Sequence, residues 1–100
     1  MPILPSMRFE VIYTDKVRVQ LDDLLEYIEA EFGHSVAVKF YKEFKDAVRV
    51  ISHLPYLHPS MDGQGTRRCI IMGKSVMLYE IVDRQVRILS LRDARQDWKP

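Results

Sequence analysis

One hundred residues make one small domain, a single cysteine excludes an internal disulfide framework, and a formal net charge of +1 excludes a strongly basic nucleic-acid coat. With 47% of residues apolar there is enough to bury to exclude wholesale disorder, and no run approaches the roughly 20 apolar residues of a membrane span. Residues 1–7 lack the basic start and apolar core of a signal peptide, so a reducing, cytoplasmic setting without a membrane partner is expected.

In chain order, Arg8–Tyr13 alternates as a short strand with Phe9, Val11 and Tyr13 on one face. Thr14 or Asp15 can cap the helix that follows. Its apolar positions Val17, Leu21, Leu24, Leu25, Ile28 and Phe32 recur every three or four residues, while Asp22, Asp23, Glu26 and Glu29 make its outer face acidic. Gly33 suits the left-handed residue that ends a helix, and Ser35 can cap the next. That second helix aligns Ala37, Phe40, Tyr41, Phe44, Val48 and Ile51, with Lys39, Lys42, Lys45 and Arg49 turned away. The turn between the helices is short enough to force an antiparallel hairpin. Residues 55–66 hold two prolines and two glycines and read as loop.

Three strands close the chain. Arg68–Met72 meets a two-residue turn at Gly73-Lys74, Ser75–Val82 follows, Asp83-Arg84 turns again, and Gln85–Leu91 is the last strand. The expected fold class is α+β: a two-helix antiparallel hairpin packed on one face of an antiparallel sheet, in the order β-α-α-β-β-β. Two-residue turns fix register, which sets Ile71 opposite Val76, Cys69 opposite Leu78, Tyr79 opposite Ile88, Ile81 opposite Val86 and Glu80 opposite Arg87. One sheet face then carries Arg68, Ile70, Met72, Met77, Tyr79, Ile81, Val86 and Ile88, the set expected under the helices. The other carries Arg67, Cys69, Ile71, Val76, Leu78, Glu80, Arg87, Leu89 and Leu91. Its apolar centre, Ile71, Val76, Leu78 and Leu89, has no cover from the helix pair and marks either a partner surface or a seat for the chain's own arm or tail.

Metal and cofactor chemistry finds no foothold. His34, His53 and His58 have no ligand spacing to one another or to Cys69, Gly63-Gln64-Gly65 lacks the rest of a phosphate-binding motif, and Asp22-Asp23 with Glu26 reads as a solvated helix face. The charge is uneven: residues 55–100 carry eight Lys/Arg against five Asp/Glu, a mild lean toward an acidic partner.

The stretch from Gly65 through Tyr79 to Asp97 resembles the RelE/ParE toxins of type II toxin–antitoxin systems. The shared pattern is an arginine, a strand, a turn, a strand ending in tyrosine, a further turn and strand, and a basic close at Arg92 and Arg95. The helix pair and the Leu54–Pro59 loop fit it too, so the resemblance spans residues 7–98 as one toxin domain and leaves residues 1–6 as a short N-terminal extension. It implies a cognate antitoxin that wraps the toxin, contact with operator DNA only through that antitoxin, and a growth-inhibiting or plasmid-stabilising role. Two targets remain open. RelE-like members cut messenger RNA on the ribosome; ParE-like members poison DNA gyrase. Metal-free RNA cleavage needs groups that take a proton, steady the phosphorane and protonate the leaving oxygen. The positions resembling those of the nucleases are Arg67, Cys69 and Val76, of which one is basic, and this favours the ParE-like reading. Gyrase would be contacted by Arg67, Arg68, Arg92, Arg95 and Trp98, and the antitoxin by Ile71, Val76, Leu78 and Leu89. The alternatives are a ribosome-dependent endoribonuclease using Arg67, Arg92 and Arg95, and a degenerate member that only binds its antitoxin.

Overall fold

The computed structural model describes residues 8–61, 63 and 65–94. The elements run β1 (Glu10–Tyr13), α1 (Asp15–Phe32), α2 (His34–His53), β2 (Arg67–Ile71), β3 (Ser75–Val82) and β4 (Gln85–Asp93), so the expected order holds. The sheet order is β1-β4-β3-β2. β2, β3 and β4 are antiparallel neighbours, whereas β1 joins β4 in parallel, which makes the four-stranded sheet mixed. A strand that reaches its neighbour through a helical crossover, and not through a hairpin, is free to run parallel to it.

Helix α1 starts where Thr14 caps it, its hydroxyl accepting from the Val17 amide at 3.3 Å. The same hydroxyl donates to the Ile88 carbonyl at 2.8 Å, so one side chain both begins the helix and ties it to β4. Gly33, at φ +98°, ends α1, and α2 begins directly at His34; Ser35 lies inside the helix and makes no cap. Val17, Leu24 and Ile28 from α1 and Ala37, Phe40, Phe44, Val48 and Ile51 from α2 are buried against Met77, Tyr79, Val86 and Ile88 of the sheet. Phe32 and Tyr41, expected on the same stripes, are exposed.

Two features of the sheet correct the expected register. The first hairpin turns on Met72-Gly73, both at positive φ, with the Lys74 amide bonded to the Ile71 carbonyl at 3.3 Å. Ile71 therefore pairs with Ser75, Ile70 with Val76, Cys69 with Met77 and Arg68 with Leu78. A one-residue slip turns every side chain of a strand over, so Cys69 and Ile71 face the helices and are buried, while Arg68, Ile70 and Met72 are exposed. The second feature is a bulge. The Asp83-Arg84 turn gives the expected pairs Tyr79/Ile88, Glu80/Arg87 and Ile81/Val86, but Leu78 meets Ser90, leaving Leu89 as the extra residue. Beyond the bulge Leu91 lies opposite Met77 and is buried, not outward as the unbroken register predicts.

Candidate functional site

The bulge sits where β1 ends, and α1 takes over as cover for β4. The Gln20 side chain accepts from the Leu91 amide at 2.9 Å, satisfying an edge group that a longer β1 would otherwise have paired. At the far end, Ser75 donates to the buried Asp93 carboxylate at 2.7 Å, and the Ala94 amide bonds the Lys74 carbonyl at 2.9 Å. The C-terminal part of the last strand is thus fastened on both edges, by α1 on one side and the start of β3 on the other, so the side chains it turns outward there stand on a rigid frame.

The outward face is the one the helices leave uncovered. β2 contributes Arg68 and Ile70, β3 contributes Val76, Leu78 and Glu80, and β4 contributes Arg87 and Arg92. Across the ladder Arg68 stands opposite Leu78, Ile70 and Arg92 flank Val76, and Arg87 stands opposite Glu80. The result is a short apolar band of Ile70, Val76 and Leu78 with guanidinium groups at its margins. Of the four residues expected to bind the antitoxin, Val76 and Leu78 lie on this face and Leu89 is the half-buried bulge residue. Ile71 does not belong there: it is 2% exposed, and its neighbour Ile70, 49% exposed, takes the place.

The expected arginine anchors separate into different roles. Arg68 is exposed, and Arg92 is exposed within β4, which runs two residues past the Leu91 end that the spacing predicts. Arg67 faces the other way. Its guanidinium lies 5.0 Å from the Tyr56 ring centroid and donates to the His58 carbonyl, clamping the loop after α2. Tyr79 secures the same loop by donating to the Pro55 carbonyl at 2.8 Å, and the His58 ring meets the Tyr79 ring edge-on at 6.4 Å. This Arg67–Tyr56–Tyr79 clamp escapes sequence reasoning because its partners are loop backbone, although a buried tyrosine always needs an acceptor for its hydroxyl. Arg95 and Trp98 lie outside the described residues, as do residues 1–6.

Burial pushes the Tyr79 phenol above its ordinary value, against the opposing pull of the Arg67 charge and a His58 backbone hydrogen bond. A phenol that holds its proton more tightly when folded supports the fold fully below the unfolded value, near 10, and loses that support as pH rises through the folded value. Alkaline titration followed at the tyrosinate absorbance should therefore show Tyr79 ionising together with loss of structure above about pH 10, and Tyr79→Phe should shift that transition upward. Burial likewise raises the Cys69 thiol, which leaves it protonated and a poor nucleophile at neutral pH. Among the described residues no group of histidine, cysteine and carboxylate side chains is placed to hold a metal, and no helix is long and apolar enough to cross a membrane.

A family model described as the ParE toxin of the type II toxin–antitoxin system, parDE, matches residues 11–98. The chain belongs to the ParE toxin family. Among solved structures it is similar to a chromosomal ParDE toxin–antitoxin system from Pseudomonas aeruginosa, with a TM-score of 0.74 at 14% identity over 88% of this chain and 98% of that one. It also resembles a conserved hypothetical protein of Helicobacter pylori solved in solution, with a TM-score of 0.58 at 16% identity over 87% of this chain and 96% of that one. A copper-bound mutant toxin from the same organism gives 0.55 at 17% identity, over 90% of this chain and 99% of that one. At such identities these likenesses establish the fold. No curated protein sequence matches. Membership of a type II toxin family carries with it an antitoxin partner.

Proposed function

We propose that this ParE-family toxin inhibits DNA gyrase by protein contact, and that a cognate antitoxin neutralises it by covering the outward sheet face. The observation that carries the reading is the composition of that face. Ile70, Val76 and Leu78 form an apolar centre and Arg68, Arg87 and Arg92 a cationic margin, the arrangement of a protein-binding surface with an apolar core and arginines around it. RNA cleavage is poorly served by it. Two of the three positions that resemble nuclease positions, Arg67 and Cys69, turn toward the helices, where one holds a loop carbonyl and the other is buried. The third is Val76, which can neither move a proton nor steady a phosphorane. The carboxylates on the described outward strands are engaged: Glu80 stands opposite Arg87, and Glu10 of β1 accepts from the Gln85 side chain at 3.0 Å.

Arg68 and Arg92 are the exposed anchors the geometry supports for the target, joined by Arg95 of the tail. A DNA supercoiling assay with purified gyrase tests the reading: the wild-type chain should block supercoiling and its antitoxin should relieve the block. Replacing Arg92 and Arg95 together by alanine should weaken inhibition at least about tenfold with the fold intact, since exposed substitutions usually cost within about 0.5 kcal/mol. Full inhibition by the double variant would remove these arginines from the mechanism, and supercoiling unaffected by the wild-type chain would remove gyrase.

A further inference from the structure

Helices α1 and α2 leave two adjoining hollows between them. One, of about 410 Å³, runs from Tyr13 past Val17 and Leu21 and has Arg18 and Lys45 at its rim with Asp22. The other, of about 290 Å³, is floored by Leu25, Ala37 and Val38 and rimmed by Glu26, Glu29 and His34. Tyr41 lines both, and no residue of β2, β3 or β4 lines either. The hollows therefore open on a different surface from the outward sheet face.

Beside them α2 raises Val38, Tyr41 and Lys45 at three- and four-residue spacing, which places the three on one helix face. Val38 is 54% and Tyr41 43% exposed. Charge along this surface is polarised, cationic on one side of Tyr41 and anionic on the other. Lys45 projects over the Tyr41 ring at 5.5 Å, about one helical turn along α2 from it. Glu26 and Glu29 lie beyond Tyr41 in the opposite direction, with Glu29 held by His34 at 2.6 Å and Glu26 left as the carboxylate offered at the rim.

A surface that is apolar at its centre, positive at one end and negative at the other is complementary to itself when turned by 180°. We propose that its occupant is a second copy of this chain, docked helix hairpin to helix hairpin about a two-fold axis at Tyr41. In that arrangement Val38 and Tyr41 of each copy fill the hollows of the other, and Lys45 of each lies over the Glu26–Glu29 turn of its mate. On the reading that the antitoxin covers the outward sheet face, that face is left free in both copies and the toxin enters its complex already paired. The inference stands apart from the choice of target, because it concerns residues on a different surface and is read by mass alone.

Sedimentation equilibrium on the isolated toxin tests it. The wild type should dimerise, while Lys45→Glu and Glu26→Lys, each an exposed helix position, should each weaken dimerisation by roughly tenfold or more, because one substitution is met twice across a two-fold. An equimolar mixture of the two variants should dimerise again, since the mixed pair restores opposite charges at one contact and keeps the wild-type contact at the other. A wild-type chain that stays monomeric at about 200 µM, single variants that dimerise as well as wild type, or folded single variants whose mixture stays monomeric would each overturn the proposal. Circular dichroism of each variant confirms that the comparison is between folded proteins, and Val38→Asp supplies an independent disruption of the same contact.

Discussion

Ile71→Glu should unfold this domain, whereas Ile70→Glu, one residue earlier, should leave it folded. Ile71 is 2% exposed and packs in the core with Cys69, Met77 and Ile51. Replacing a buried isoleucine loses about 2–5 kcal/mol of packing, and a carboxylate in its place must also be desolvated or protonated. That sum is comparable to the whole stability of a domain this size, about 5–15 kcal/mol. Ile70 stands on the outward face at 49% exposure, so the same charge there remains in water and should cost less than about 1 kcal/mol. Urea denaturation of the two variants separates the observed register from the register of a two-residue turn at Gly73-Lys74, which predicts the opposite outcome. Equal stability of the two variants would show that neither register holds.

The second large effect concerns the antitoxin. Leu78 lies at the centre of the outward strands, between Arg68 on β2 and Ser90 on β4, and no helix covers it. Burying a leucine fully is worth about 1.5–3 kcal/mol, so an antitoxin segment that folds onto this face draws much of its affinity from Ile70, Val76 and Leu78. Leu78→Glu puts a charge in the middle of that band. The variant toxin should fold and bind its antitoxin at least about tenfold more weakly, as about 1.4 kcal/mol is one decade. Titration calorimetry reads the affinity directly. Unchanged affinity in a folded variant would show that the antitoxin sits elsewhere, and loss of stability in the isolated variant would show that the chain covers this face itself.

The sequence carries the element order because each signal is local. Apolar positions at helical spacing mark α1 and α2, Thr14 and Gly33 mark the ends of α1, and the Asp83-Arg84 turn fixes the β3–β4 pairing as far as Tyr79. Register in β2 is a different matter. Arg67-Cys69-Ile71 and Arg68-Ile70-Met72 are both an arginine followed by two apolar residues, so alternation cannot say which set faces the core. The turn decides it, and Met72 at φ +52° is a residue type that gives no warning of a left-handed conformation. The bulge at Leu89 is equally silent, because what stabilises it, Thr14 on the Ile88 carbonyl and Gln20 on the Leu91 amide, comes from residues more than seventy positions away. The candidate site inherits these two slips. Val76 and Leu78 on the central strand are placed as the sequence implies; Ile71 gives way to Ile70, Arg67 turns inward to hold the loop, and Arg92 moves into the strand.

On the proposed reading, the outward face works by contact and does not cut RNA. Primer extension on messages translated in the presence of the purified toxin examines that claim directly. Full-length products are expected at toxin concentrations that stop gyrase supercoiling, because the described outward face offers arginines, aliphatic side chains and two glutamates, Glu80 opposite Arg87 and Glu10 bonded by Gln85, and no histidine. Codon-specific breaks in the ribosomal A site that disappear with Arg92→Ala would contradict it and make this chain a nuclease.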